Sequence, residues 1–194
     1  RFEYDSPPIG ETKFELKNQN YKRRYISCNL CGHWFSEHEL DLKNLYSKEY
    51  MNSTYSDKIS ATFEKIISMS SEESDNFGRI KRIKEFKETI FPDKKTIDLL
   101  DVGSGLGIFP YSVKNIGWNC TAIDPDKRSI AHIKKRIGIK AVHREFMKIK
   151  NIYKYNIITL NKVLEHVADP IAMLRKVKKN LFNDGIIYIE VTDA

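Results

Sequence analysis

Residues 96–107 read TIDLLDVGSGLG and place three glycines within five positions, directly after an apolar run that contains Asp101. The apolar run at 97–102 has the length and the content of a buried strand. Glycine permits a positive φ and lets a ligand approach the backbone without a Cβ in the way. In an open parallel sheet, the loop after a strand lies at the edge where ligands bind. We therefore predict a ligand-binding loop at Gly103, Gly105 and Gly107, although the same glycines could serve only turning and helix packing.

Strand-like and helix-like segments alternate from residue 96 onward. Further strands are predicted at 119–123, 139–142, 157–160 and 186–191, the last after a turn at 183–185. Helices are predicted at 108–116, at 127–136 and from Asp169-Pro170, where Asp suits the N-cap and Pro the first helical position. Repeated β-α-β units predict an α/β fold, namely a Rossmann-like doubly wound parallel sheet with helices on both faces.

The N-terminal part of the chain differs in composition from the rest. This difference indicates a small additional region that is β-rich and helical. Segments 14–17 and 25–27 alternate like short strands around a turn-prone Asn-Gln-Asn. Apolar residues recur at three- and four-residue steps between 56 and 91, which predicts two helices. We expect a small region with a partial Cys knuckle at 1–55, linking helices at 56–95 and the main domain at 96–194.

The charge balance favours a solvated surface over a polyanion site. Lys and Arg number 33 against 26 Asp and Glu, and they alternate with apolar residues along the helix-like segments. Nucleic acid is therefore not an expected partner. No apolar run approaches the roughly 18 residues that a membrane span requires. With no signal-peptide pattern either, we predict a soluble cytoplasmic protein.

The glycine loop fits a cationic adenosine ligand better than a dinucleotide. The dinucleotide pattern G-x-G-x-x-G requires glycine where this chain has Ile108. Asp101 would repel a pyrophosphate but attract a cation. Asp124, about one β-α unit later, suits a ribose diol, a feature that adenosine cofactors share. Asp124 could also cap the helix that starts near Lys127.

Four ordered motifs then resemble class I S-adenosylmethionine-dependent methyltransferases. They are residues 99–107 (LLDVGSGLG), 122–125 (AIDP), 163–170 (VLEHVADP) and 181–191 (LFNDGIIYIEV). The resemblance implies that the glycine loop, with Asp101, holds the methionine part of the cofactor and that Asp124 holds its ribose. It also implies that Glu145 and Phe146 lie near the adenine, although His143-Arg144 departs from the usual Gly-Asp. Asn161 is expected to line the cofactor cleft.

Methyl transfer to an oxygen acceptor requires a base, and histidine is the first candidate at neutral pH. His166 follows the predicted fourth strand, at the edge where the methyl group would emerge. It could alternatively cap the loop that leads into the helix at Asp169-Pro170. Glu165 could orient His166 or a substrate hydroxyl.

Cys28 and Cys31 have the spacing of half a zinc site, which His33 and His38 could complete in a cramped geometry. The segment 24–32, followed by 45–50, is similar to the second knuckle of a zinc-ribbon-like region. Such a region precedes some bacterial methyltransferases that act on sugars and surface-polysaccharide precursors. The resemblance implies that a first Cys pair upstream and two C-terminal strands are missing here. Ordinary reduced cysteines remain the alternative.

These observations predict an O-methyltransferase for a small molecule, such as a sugar or a nucleotide-linked surface-polysaccharide precursor, with S-adenosylmethionine as cofactor. An RNA methyltransferase is the second hypothesis, and it lacks a recognisable RNA-binding module. A NAD-dependent oxidoreductase is disfavoured by Asp101 and Ile108. A cofactor-binding module without catalysis is the remaining possibility.

Overall fold

The computed structural model describes residues 1–7, 21–38, 59–150 and 153–192. The chain divides into two compact units, Arg1–Asp57 and Lys58–Ala194. In the first unit, β1 (Phe2–Tyr4), β2 (Arg23–Ser27) and β3 (Trp34–His38) form an antiparallel sheet in that order. The predicted strand at 25–27 is thus confirmed, whereas the one at 14–17 lies outside the described residues.

The second unit begins with the two helices that the apolar spacing predicts, α1 (Ile59–Ile67) and α2 (Asp75–Ile90). Strands and helices then alternate as β4 (Asp98–Val102), α3 (Ile108–Asn115), β5 (Asn119–Asp124), α4 (Lys127–His132), β6 (Lys140–His143), β7 (Tyr155–Asn161), α5 (Pro170–Lys179) and β8 (Leu181–Glu190). A π-helical turn, Ile133–Ile137, extends α4. Within the described residues, no helix is long and apolar enough to cross a membrane.

The strands β4 to β8 form a parallel sheet in the order β6-β5-β4-β7-β8. Successive strands are added on one side from β4 to β6, and then on the other side from β7 to β8. Ligands in such sheets bind beyond the carboxyl ends of the strands, where this direction reverses. The reversal lies between β4 and β7, so the loops after these two strands border it.

Helices cover both faces of this sheet, as predicted. On one face, Leu100 and Leu160 pack against α5 through Met173 and Val177. On the other, Leu99 and Ile157 pack against residues of α2 and α3. Ala122 in β5 belongs to a third cluster with residues of α1 and α4. Side chains alternate between the faces of a strand, so neighbouring leucines in β4 enter different layers of the core.

The last strand departs from the sequence-based prediction. A turn was expected at 183–185, but β8 already pairs with β7 at Leu181, opposite Tyr155. Pairing resumes where Ile186 meets Ile157, and residues 182–185 form the irregularity between them. Asn-Asp-Gly favours a turn locally, yet strand pairing on both sides converts it into a bulge within one strand.

Candidate cofactor site

The three glycines of the loop after β4 all have positive φ, at 72, 50 and 78 degrees for Gly103, Gly105 and Gly107. A Cβ at Gly103 would lie 2.6 Å from Cγ2 of Val163. A Cβ at Gly107 would lie 2.7 Å from side-chain atoms of both Ile133 and Ile137. Two of the three glycines are therefore required by packing, which was the alternative explanation of the sequence pattern.

Gly105 is different, because a Cβ built there meets no atom of the described residues within 4 Å. Its N–H donates to Oδ2 of Asp124 at 2.8 Å, which anchors the loop to the end of β5. The backbone at Gly105 is thus held in place from one side and open on the other. An open, anchored backbone is what a ligand-binding loop requires.

Asp101 is a carboxylate buried at the centre of the sheet, with 2% of its surface exposed. Its Oδ1 accepts hydrogen bonds from Thr159 Oγ1 at 2.6 Å and from Asn161 Nδ2 at 3.0 Å. Burial raises the pKa of Asp101 to about 6, the nearby Asp124 carboxylate adds to the rise, and the hydrogen bonds oppose it. An ionised carboxylate at this depth favours a cationic partner.

Asp124 ends β5 beside the glycine loop. Its two oxygens accept hydrogen bonds from the backbone N–H groups of Gly105, at 2.8 Å, and Asp126, at 2.7 Å. Burial raises the pKa of this carboxyl as well. The cap of α4 is Asp126, which accepts from the backbone of Arg128 and Ser129. Asp124 therefore does not cap the helix, and each of its oxygens keeps a lone pair for another donor.

Asn161, the last residue of β7, has a side-chain oxygen that could accept a hydrogen bond from a ligand. Its Nδ2 donates to Asp101, while its Oδ1 is buried and has no hydrogen-bond partner in the part of the chain that the structure describes. A buried carbonyl oxygen left unpaired costs about 1–3 kcal/mol. A ligand N–H placed here would remove that cost, so Asn161 supports a donor-bearing group such as an ammonium beside Asp101.

The segment after β7 holds the candidate base. His166 is exposed and ends a single helical turn, Leu164–His166, in which its N–H donates to the Val163 carbonyl. The following helix is capped by Asp169, whose side chain accepts from the Ala172 N–H at 2.8 Å. Asp169 accordingly fills the capping role that was the alternative for His166.

One oxygen of the Glu165 carboxylate contacts the end of β8. Its Oε1 accepts from the backbone N–H and the hydroxyl of Thr192, at 3.1 and 3.0 Å. These contacts tie the loop after β7 to the end of β8. Glu165 thus positions the segment on which His166 lies.

Glu145 and Phe146, which are predicted to contact the adenine, lie in two different environments. Phe146 is buried in the core, with 3% of its surface exposed, and packs among residues of β4, β5 and α5. Glu145 is exposed and pairs with Lys148 at 2.7 Å. The described contacts give Phe146 a packing role, and both adenine contacts stay predictions.

Sequence patterns missed three features of this edge. Thr159 holds Asp101, but only the strand register places them opposite each other. Lys162 adopts φ of 54 degrees without being glycine, and its N–H donates to the Glu190 carbonyl at 2.7 Å. Arg79 of α2 forms a two-point ion pair with Glu190 at the end of β8. A positive φ at lysine is rare enough to mark this turn as constrained by its surroundings.

Cys28 and Cys31 lie in a tight turn of the N-terminal unit. The Gly32 N–H donates to the Cys28 carbonyl at 2.8 Å, with Gly32 at a φ of 72 degrees. Backbone hydrogen bonds from Cys31 and Leu30 lower the pKa of the Cys28 thiol. Residues 1–7, 21–38, 59–150 and 153–192 contain no group of three or more side chains placed to hold a metal. Zinc at these cysteines therefore stays a prediction.

A family model described as a methyltransferase domain matches residues 75–194, which is more than half of the chain. The chain belongs to this methyltransferase family. The match includes α2, the glycine loop and the whole parallel sheet. The predicted membership in the methyltransferases is thereby confirmed.

Two curated proteins are similar to the chain in sequence. The methyltransferase is 32% identical over 130 residues to Ubiquinone biosynthesis O-methyltransferase of Pelagibacter ubique, covering 59% of this chain and 53% of that protein. A protein of the same name from Caulobacter vibrioides is 29% identical over 100 residues, covering 48% and 40%. The chain thus spans about half the length of these relatives, or less.

A solved structure, the plantazolicin methyltransferase BpumL in complex with SAH, has the same fold as this methyltransferase. The TM-score is 0.56 at 20% sequence identity, covering 74% of this chain and 56% of that one. At this identity the similarity concerns the fold alone. It supports the predicted Rossmann-like arrangement of the sheet and its helices.

Proposed function

We propose that this chain transfers the methyl group of S-adenosylmethionine to a hydroxyl oxygen of a small molecule. The observation that carries the proposal is the buried acceptor pair at the β4–β7 reversal, where the Asp101 carboxylate lies beside the unpaired Oδ1 of Asn161. An acceptor pair of this kind suits a cation that bears N–H donors. The two curated relatives are named as O-methyltransferases, which supports oxygen as the acceptor atom.

The residues present fit the methionine and ribose parts of the cofactor. Asp101 and Asn161 would accept hydrogen bonds from the methionine ammonium, and the open backbone at Gly105 would lie against the methionine chain. The remaining lone pairs of Asp124 would accept from the ribose hydroxyls. When bound, S-adenosylmethionine supplies an electrophilic methyl group on a positively charged sulfur. The protein then has two tasks, to orient the acceptor in line with that methyl group and to remove one proton.

A cofactor measurement tests the first part of the proposal. Calorimetry on the full chain should show binding of S-adenosylmethionine and of its demethylated product, and none of NAD at the same concentrations. The physical reason is charge, because the buried carboxylates at 101 and 124 favour a cation and disfavour a pyrophosphate. Sub-millimolar binding of NAD without either adenosyl compound would contradict it.

His166 is proposed as the base that takes the acceptor proton. In a His166→Ala variant, turnover should fall by about 10²–10⁴-fold, the usual contribution of a positioned general base. Cofactor affinity should stay within about twofold, since no cofactor contact is assigned to this side chain. Added imidazole should restore part of the activity by replacing the lost base. Undiminished turnover in a variant that binds cofactor normally would remove His166 from the mechanism.

We also propose a sugar or nucleotide-linked surface-polysaccharide precursor as the acceptor, bound zinc at Cys28 and Cys31, and a cytoplasmic location. The support for the acceptor and the zinc is the resemblance of the Cys segment to a zinc-ribbon-like region. Release of demethylated cofactor should be measured with panels of nucleotide-sugars and of phenols, alongside metal analysis of the same preparation and cell fractionation. Turnover restricted to the phenols would exclude a sugar acceptor. A preparation free of zinc would exclude the zinc site.

A further inference from the structure

A cavity of about 860 Å³ lies between α1, α2 and α3, on a part of the molecule that the cofactor site does not use. Its exposed walls are mainly apolar and come from the end of α1, the segment that follows α1, most of α2 and one side of α3. They include Ile66, Met69, Phe77, Ile80, Tyr111 and Ile116. The volume lies within the range of about 300–1,000 Å³ that is typical of small-molecule sites. Phe77 and Met69 remain 55% and 39% exposed, so the apolar wall is not covered by the described residues.

One polar group in the lining lacks a partner. Asn76 is 7% exposed, and its Nδ2 donates to the hydroxyl of Ser112 at 2.6 Å. Its Oδ1 is buried and accepts no hydrogen bond from any residue that the structure describes. A buried carbonyl oxygen without a donor costs about 1–3 kcal/mol, so a donor brought by a ligand would be favoured.

The positive and negative charges in the lining of the cavity are equal in number. Lys81 and Lys84 are offset by Glu85 and Glu88, all four exposed on α2. A cavity with this balance has no preference for an ion of either sign. This balance favours an uncharged occupant over an ion of either sign.

We propose that this cavity binds a small, uncharged, largely apolar molecule with one hydrogen-bond donor, such as an aromatic alcohol, whose donor pairs with Asn76 Oδ1. The site is separate from the cofactor cleft. Asp75 and Arg79 face the strand ends through their contacts with Lys162 and Glu190, whereas Asn76 lines the cavity. The proposal does not depend on the methyl acceptor or on the base.

The test uses 2-naphthol and 2-methoxynaphthalene as probes, which are similar in size and differ in the donor. Titration of the full chain, followed by protein NMR, should show saturable binding of 2-naphthol with a shift of the Asn76 side-chain amide signals. The ether should bind about fivefold more weakly, as expected for the loss of one hydrogen bond worth about 1 kcal/mol. Equal binding of the two probes, or no saturation by either, would overturn the proposal.

A pair of variants on α2 locates the site. Phe77 lines the cavity, whereas Phe86, on the same helix and 54% exposed, does not. Phe77→Ala should weaken 2-naphthol binding by about tenfold because an apolar contact surface is lost, and Phe86→Ala should leave it unchanged. Thermal unfolding checks that both variants fold. If either variant fails to fold, the shift of the Asn76 side-chain amide signals in the unmodified chain still locates the probe. Equal effects of the two variants, or displacement of the probe by S-adenosylhomocysteine, would place the probe elsewhere and refute the site.

Discussion

Replacement of Gly105 by alanine should weaken S-adenosylmethionine binding by roughly 5- to 150-fold, the equivalent of about 1–3 kcal/mol for overfilling a packed contact. The new Cβ would point into the open side of the loop, where no described residue lies within 4 Å. It would therefore occupy space that the cofactor needs, with little effect on the core. Calorimetric titration of the variant with the cofactor measures the change.

Gly117 supplies the matched control. It has a φ of 82 degrees, and a Cβ there likewise meets no atom of the described residues within 4 Å. Gly117→Ala should thus carry a similar backbone strain of about 1–2 kcal/mol while leaving cofactor affinity unchanged. Gly107→Ala should lower the free energy of unfolding more than either, because its Cβ would press on Ile133 and Ile137. Equal cofactor affinities for the Gly105 and Gly117 variants would show that the loop does not hold the ligand.

Replacement of Asp101 by asparagine should weaken cofactor binding by roughly 10- to 150-fold at pH 7, since a hydrogen bond to a charged group contributes about 1.5–3 kcal/mol. Asparagine can still accept from Thr159 and Asn161, so the variant removes the charge and keeps the local geometry. Calorimetry at several pH values is the measurement.

The pH dependence has a definite sign. The pKa of Asp101 is raised to about 6, so the carboxyl is mostly protonated at pH 5 and mostly ionised at pH 7. A cationic ligand binds the ionised form, and its affinity should fall by about tenfold as the pH drops from 7 to 5. The variant should lose this contribution. An unchanged affinity and an unchanged pH profile in Asp101→Asn would contradict the assignment of a cation to this carboxylate.

Folding stability supplies a second readout that needs no ligand. With a folded-state pKa of about 6 against 3.8, the folded chain binds more protons than the unfolded chain in this interval. The free energy of unfolding should therefore decrease as the pH rises from about 4 to about 6, by about 2 kcal/mol from this group. Urea unfolding of the unmodified chain and of Asp101→Asn should be measured across this pH interval. The difference between their free energies of unfolding isolates the contribution of Asp101.

Periodicity and capping chemistry were enough to predict most of the second unit. Alternating apolar segments gave the strands and helices of the parallel sheet, and Asp169-Pro170 located the start of α5. These features depend on residues close in sequence, whose spacing fixes which side chains share a face. The bulge in β8 was missed because its turn-forming residues are overruled by pairing with a distant strand.

The sequence by itself determined the α/β sheet and the glycine loop, because periodicity and backbone freedom are local properties. Only the tertiary structure showed that Gly105 alone among the three glycines is open. Only the tertiary structure showed that Thr159 and Asn161 donate hydrogen bonds to Asp101. It also showed that Asp124 accepts one from the glycine loop. Strand register and interhelix packing join residues far apart in the chain, and no local pattern encodes which distant atoms come within hydrogen-bond distance.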